Sequence, residues 1–166
     1  MGKYVEKTMA VNEQMIYESK QHWVILLPFG IISLILVIAG LASIESMIGM
    51  VVIVPLIMLK PLINYFCTEL GFSNHRLIGK LGLINTKTLD APLNKINNIS
   101  VSSGLLGKIF GYGTVHITTS SGAYAYKHVA KPEKFKLGLM AQVDKFDEER
   151  IKKQAIEMAA ALKATE

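Results

Sequence analysis

This sequence has little cysteine, no cluster of histidines and no motif of a catalytic nucleophile. These features limit the metal-binding and catalytic chemistry that the chain can perform. Cys67 is the only cysteine among 166 residues, so an intrachain disulfide is excluded. No Cys and His spacing is that of a metal site, and no Gly-x-Ser-x-Gly motif supplies a nucleophile. The histidines are scattered along the chain: His22, His75, His116 and His128. We therefore expect no catalytic residue, no metal, no cofactor and no enzymatic activity.

The sequence has a basic excess, with a net charge of +5. Such an excess suits an anionic lipid surface or a nucleic acid. A surface that binds single-stranded nucleic acid needs aromatic side chains interleaved with the basic ones. Tyr112, Tyr124 and Tyr126 with Lys127 make a weak set of this kind, so we expect a membrane as partner and no nucleic acid.

Charged residues are absent from 23–44, a run long enough to cross the hydrocarbon core of a bilayer as a helix. A second apolar run follows at 47–66. It is interrupted by Lys60, whose long side chain can place its ammonium among the headgroups. These runs predict two transmembrane helices that form a hairpin, at about 23–43 and 46–66.

Two alternatives to the hairpin stay open. The second run is short enough for a re-entrant or interfacial segment, and 40–43 contains the small residues of a signal-peptide cleavage site.

The flanking charges predict the orientation, because Lys and Arg resist translocation. Lys3, Lys7 and Lys20 precede the hairpin, Lys60, Arg76 and Lys80 follow it, and the turn carries only Glu45. Both termini are therefore predicted to be cytoplasmic.

Beyond the apolar runs, short stretches of β-branched and aromatic residues alternate with Gly, Asn and Pro, a pattern typical of antiparallel strands. Six strands are predicted, at about 65–72, 76–83, 86–91, 96–102, 114–119 and 123–129. A helix is predicted from Pro132 onward, with apolar residues at spacings near four. Glycines flank the apolar residues of 105–110 and predict a short helical turn there.

These elements divide the chain into four parts. They are an N-terminal cytoplasmic segment, the transmembrane hairpin, a β domain and a helical extension, at 1–22, 23–66, 67–146 and 147–166. The extension is rich in Ala, Lys and Glu and is predicted to be helical. One stripe of it is apolar, and we expect this stripe to pack between subunits of a homo-oligomer: Ile151, Ala155, Met158, Ala159 and Leu162.

The β domain carries an ordered series of motifs, from an early Thr through Asn-x-Arg-Leu-Ile and Gly-Leu-Ile to Gly-Leu-Leu-Gly and Gly-Tyr-Gly-Thr-Val. Its signature positions are Thr68, Asn74, Arg76, Leu77, Gly82, Ile99, Val101, Gly104, Leu106, Gly107, Gly111, Gly113 and Thr114. This order resembles bacterial pleckstrin-homology (PH) domains, of the YdbS/YdbT-like group of membrane-flanked PH domains. The resemblance implies a protein of the bacterial inner membrane. Its fold would be membrane α + β, a two-helix hairpin followed by a bent, seven-stranded antiparallel sheet or barrel that a C-terminal helix caps.

We expect a non-enzymatic, membrane-anchored binding or scaffold module. Its cytoplasmic surface would be presented to anionic lipid headgroups, to a protein partner or to a second copy of the chain. The cations predicted to bind lipid are Lys80, Lys87, Lys95, Lys108 and Lys127. The alternative is an accessory subunit of a membrane transport or channel assembly, because Gly30, Gly40, Gly49 and Pro55 permit close packing of helices.

Overall fold

The computed structural model describes Tyr4, Thr8, Met9 and residues 13–41, 44–82 and 86–163, with only the backbone given at 44–48. Residues 83–85, at the end of the second predicted strand and before the third, lie outside this description, as do the cations Lys3 and Lys7 and the side chain of Glu45. In chain order the elements are β1 (Met15–Ser19), α1 (Leu27–Gly40), α2 (Ile44–Cys67), β2 (Glu69–Ser73), β3 (Arg76–Leu81), β4 (Lys87–Pro92), β5 (Ile96–Ser102), α3 (Leu105–Phe110), β6 (Tyr112–Thr119), β7 (Gly122–Ala130) and α4 (Pro132–Lys163). Short 3₁₀ turns at Trp23–Leu26 and Leu93–Lys95 precede α1 and β5.

Two apolar helical runs are long enough to cross a membrane. Trp23–Gly40 has 18 residues and Gly49–Cys67 has 19, and few of their side chains are buried inside the protein. The runs pack against each other near Gly40, where a Cβ would lie 2.7 Å from Cγ of Met50. The prediction of two apolar helices is confirmed, and their insertion into a membrane stays a prediction.

The strands form two antiparallel sheets. The first has the order β1-β2-β3-β4 and the second has the order β5-β6-β7. The six strands predicted from the sequence correspond to β2–β7. The first of them was predicted to begin at about residue 65, but α2 continues to Cys67 and β2 begins at Glu69. Two apolar helices, two antiparallel sheets and a C-terminal helix agree with the predicted fold class.

Strand β1 was not predicted, and it changes how the chain is divided. It pairs antiparallel with β2, and Ser19 lies opposite Leu70 in the register. The sheet therefore includes Met15–Ser19, which belong to the N-terminal segment predicted at 1–22. The two apolar helices thus lie in the chain between two neighbouring strands of one sheet, and the division into four parts stays a prediction.

The segment that follows β1 runs along the end of β7 and connects the two sheets. The backbone N–H of Ala130 donates to the carbonyl of Lys20 at 3.0 Å, and the N–H of His22 donates to the carbonyl of His128 at 2.6 Å. Since β1 and β7 are edge strands of different sheets, these bonds close the gap between them.

The core lies between the sheets and under the first half of α4. Its largest buried side chains are Leu70, Phe72, Leu77, Leu89, Leu93, Val115, Ile117, Tyr126, Phe135 and Leu139. Phe135 and Leu139 of α4 are completely buried, and the ring of Phe135 meets that of Phe72 edge to face at 5.5 Å. From residue 148 to residue 163 every position of α4 is exposed, so this helix extends about 24 Å beyond the domain.

Candidate functional site

The apolar helices join the sheets at a cluster of aromatic rings. His22 stacks on Tyr112 with ring centroids 5.4 Å apart, and Tyr112 lies 5.8 Å from the ring of His128. Trp23, the first residue of the apolar run, lies 5.6 Å from His22. Nδ1 of His22 accepts a hydrogen bond from the N–H of Val24 and so caps the turn. The domain is thereby held against the point where the chain enters the apolar helices.

A cavity of about 330 Å³ lies beside this cluster, where the sheets meet the apolar helices. Its polar lining comes from Gln21, Asn64, Thr68, Lys87, Lys127 and His128. Ile25 and Asn64 belong to the two apolar helical runs, so the cavity opens where those helices leave the domain. No acidic side chain is among the described residues that line it.

Two of the predicted lipid-binding lysines meet at this cavity. Lys87 is the first residue of β4, and Lys127 lies near the end of β7. Because side chains alternate along a strand, Lys87 shares the face of buried Leu89, at the open end of the interior. Both lysines are exposed, so their ammonium groups are available to an anion from solvent.

His128 has an unusual backbone and an unsatisfied side chain. Its φ is 56°, in the left-handed region that few side chains other than glycine adopt. Its Nδ1 and the Oε1 of Gln21 are buried and have no hydrogen-bond partner among the described residues. Burial lowers the pKa of His128, and the nearby charges of Lys127 and His22 lower it further. The neutral imidazole is therefore the form that the fold favours.

The other three predicted lysines lie elsewhere. Nζ of Lys80 is 5.4 Å from the ring centroid of Tyr4, so Lys80 packs against the segment before β1. Lys95 ends the turn after β4 and accepts a backbone hydrogen bond from Ser120. Lys108 lies on α3 and lines a separate cavity of about 510 Å³, together with Lys131 and Lys134. A role for any of the five in lipid binding stays a prediction.

The signature residues serve different parts of the fold. Leu77, Ile99 and Val101 lie in the core or pack against it, and Thr114 is in β6. Asn74 accepts a hydrogen bond at 3.1 Å from the N–H of Gln14, and Arg76 binds Glu13. Thr68 lines the cavity described above.

The glycine-flanked segment forms the short helix that was predicted. Gly104 caps the start of α3, and Gly111 ends it with a φ of 75°. Gly107 is buried, and a Cβ there would lie 2.5 Å from the carbonyl oxygen of Tyr112. Gly113 packs against Ser103, and Gly82 ends β3 with a φ of 76°. Leu106, by contrast, is 62% exposed.

Sequence reasoning did not select Gln21, Asn64 or His128 as site residues. Each is a single polar residue without a motif, and only the pairing of the segment after β1 with β7 brings Gln21 close to His128. A polar residue at the edge of an apolar run is the one local signal that Gln21 and Asn64 share. That signal is common at the ends of membrane helices, so it did not distinguish a site.

Comparison with known proteins identifies one family. The family model described as "Bacterial PH domain" matches residues 24–151. The matched part is more than half of the chain and contains α1, α2 and β2–β7, whereas β1 precedes it. No curated protein and no solved structure matches the chain.

Proposed function

The chain belongs to the bacterial PH domain family, and on that basis we propose that it is a membrane-anchored module that binds anionic lipid headgroups. PH domains are generally binding modules for lipids or proteins rather than catalysts. The observation that carries the proposal is that Lys87 and Lys127 line one cavity where the domain meets the apolar helices. Membership of the YdbS/YdbT-like group stays a prediction.

The proposed anchor is the pair of apolar helices, and the sheet supports their arrangement as a hairpin. Strands β1 and β2 flank the hairpin in sequence and pair directly, so both ends of the hairpin must lie on the same side of the bilayer. Only an even number of crossings satisfies this condition. The flanking cations Lys20, Lys60 and Lys80 favour the cytoplasmic face of the bacterial inner membrane for that side.

The proposed ligand follows from the charge and position of the cavity. Two ammonium groups attract a phosphate and, near an anionic membrane surface, each contributes about 1 kcal/mol. Because α1 and α2 leave the domain beside the cavity, its mouth would stand at the height of the headgroups.

The test uses the full chain in a neutral detergent, because β1 and the hairpin are both part of the fold. Short-chain phosphatidylglycerol or phosphatidylcholine is titrated in, and the unfolding temperature is measured. A ligand that binds only the folded protein raises this temperature. We expect phosphatidylglycerol to raise it more than phosphatidylcholine, and we expect the double variant Lys87→Gln, Lys127→Gln to lose the difference.

The matched control is the double variant Lys145→Gln, Lys152→Gln. It removes the same charge from two exposed lysines outside the cavity and should keep the wild-type response. Equal effects of the two lipids on the wild-type chain would contradict the proposal. So would an equal loss of the response in both double variants, since it would indicate a response to net charge rather than to this cavity.

Self-association is a second proposed property, favoured by the exposed part of α4. Ile151, Met158 and Leu162 are each more than 60% exposed and lie on one stripe with Ala155. Their spacing of four, three and four residues is that of a coiled-coil seam. We propose that this seam pairs with the same seam of another copy.

A role as accessory subunit of a transport or channel assembly is the weaker proposal. Trp23–Gly40 contains no ionisable residue, and the ionisable residues of Gly49–Cys67 are Lys60, Tyr65 and Cys67. Ion pathways through membranes are usually lined by polar or charged side chains. Any such pathway would therefore depend on the other subunits.

A further inference from the structure

Helix α3 exposes four large apolar side chains. Leu105 is 84% exposed, Leu106 62%, Ile109 74% and Phe110 48%. Water is a poor environment for such a patch, and contiguous exposed apolar surface usually marks a contact with another protein or a membrane. The patch lies in the connection between β5 and β6.

The four side chains share one face of the helix. With 3.6 residues per turn, Leu105, Leu106, Ile109 and Phe110 occupy an arc of about 140°. Gly107 lies outside that arc and is buried against the carbonyl of Tyr112. The side of α3 that carries Gly107 therefore packs on the domain, and its apolar side is directed away from it. This orientation is the reverse of that in a helix that packs on its own core.

The position of α3 determines what this face can meet. Gly111 ends the helix, and the next residue is Tyr112, whose ring stacks on His22. His22 in turn contacts Trp23, the first residue of the apolar run. Tryptophan and tyrosine at the end of a membrane helix mark the interface between water and lipid. If the hairpin spans the bilayer, α3 lies at that interface.

We propose that α3 inserts its apolar face into the boundary between headgroups and acyl chains, as a second membrane contact of the domain. The inference rests on the proposed membrane anchor and goes beyond it, because it assigns a lipid contact to a segment outside the hairpin. Lys108 lies at the edge of the apolar face, where its stem can extend along the lipid while its ammonium reaches the phosphates. The hairpin and α3 together would fix the tilt of the domain.

The test measures the depth of α3 in the bilayer by fluorescence. Trp23 is the only tryptophan, so Trp23→Phe gives a background without indole. Phe110→Trp is introduced into the full chain in that background and reconstituted at one copy per nanodisc, in lipids with or without brominated acyl chains. Bromine quenches only indoles that touch the acyl region. We expect a blue-shifted emission that the brominated lipids quench strongly.

Two further tryptophans calibrate the measurement. Ile35→Trp lies within α1 and reports whether the hairpin spans the bilayer. Met158→Trp lies in the exposed part of α4 and should remain unquenched. If Ile35→Trp is quenched and Phe110→Trp is not, the inference about α3 is wrong and the anchor stands. If neither is quenched, the anchor itself is wrong, and the inference about α3 is lost with it.

A charge variant separates lipid contact from contact with protein. Leu106→Glu, added to Phe110→Trp, should withdraw α3 from the acyl region and reduce the quenching. Ile156→Glu, which adds the same charge to an exposed residue of α4, should leave the quenching unchanged. Blue-shifted emission without bromine quenching would show that α3 packs on protein, and it would overturn the proposal.

Discussion

Arg76 binds Glu13 across 63 residues of sequence and across the whole hairpin. Nε and Nη2 of the guanidinium donate to the carboxylate at 2.9 and 2.7 Å, and the Ser73 hydroxyl donates to the same carboxylate. The Glu13 side chain is almost fully buried, and Arg76 also donates to Asp90 at 3.0 Å. This pair ties the chain that precedes β1 to the turn between β2 and β3.

Glu13→Gln should destabilise the domain by about 2 kcal/mol, because it removes charge-assisted hydrogen bonds at a buried site. Asp90→Asn is the matched control: it alters the same arginine on its exposed side and should cost less than about 1 kcal/mol. Chemical unfolding of the full chain in detergent measures both. Equal losses would contradict a special role for the pair that crosses the hairpin.

The hydroxyl of Tyr126 is buried without a hydrogen-bond partner among the described residues, directly over Gly79. Burial raises the pKa of this phenol, which therefore stays neutral. Tyr126→Phe should be neutral or stabilise by up to about 1 kcal/mol, because it removes an unsatisfied polar atom. Unfolding measurements that show a loss of stability would indicate that this hydroxyl does have a partner.

Gly79→Ala should destabilise the domain by about 1–3 kcal/mol, since its Cβ would overlap the Tyr126 hydroxyl and lie 2.8 Å from Cζ. Part of this loss should be recovered when Tyr126→Phe is added, because the two sites are in contact. Gly30→Ala serves as the control, as no atom outside its own helical turn lies within 4 Å of its Cβ position. Strict additivity of the Gly79 and Tyr126 variants would argue against the contact.

The lowered pKa of His128 makes stability depend on pH. The unfolded chain protonates this histidine near its ordinary value of about 6.5, and the folded chain does so only at lower pH. Stability is therefore greatest above about 6.5 and falls as the pH drops through the lowered value. Asn tolerates a positive φ, so His128→Asn should fold and lose part of this dependence. Thermal unfolding from pH 8 to pH 5 tests this, and His116→Asn, at an exposed site, should behave like the wild type.

The seam on α4 predicts the assembly state. Light scattering in detergent should give an oligomer for the full chain and a smaller species after deletion of 148–166. Met158→Glu lies on the seam and should act like the deletion, whereas Ile156→Glu lies off it and should not. A monomeric wild-type chain would remove the proposal.

The fold was predictable where its signals are local. Pro132 at the start of α4 and the glycines around α3 each fix one element through backbone geometry, and both elements appear where they were expected. Strand β1 was missed because its five residues are followed by an apolar run, and its partner in the sheet lies beyond that run. Pairing at such a separation leaves no periodic pattern in either segment.

The candidate site was predictable only in part for a similar reason. Basic composition indicated lysines as a class, but strand ends place Lys87 and Lys127 at one cavity and leave Lys95 and Lys80 elsewhere. The orientation of the two sheets determines which surface lysines lie close together. No property of the individual lysines encodes that orientation.

The place of the hairpin between β1 and β2 sets an order for biogenesis. The ribosome makes β1 first, and this strand has to wait, without its neighbour in the sheet, until about 50 further residues have been made. If the hairpin inserts in the membrane, the second helix has to cross back to the first side. In a chain where it does not, β1 and β2 would lie on opposite sides of the bilayer. Pairing of β1 with β2 would then occur only in correctly inserted chains. A misinserted chain would keep an unpaired strand edge, which cellular proteases can recognise.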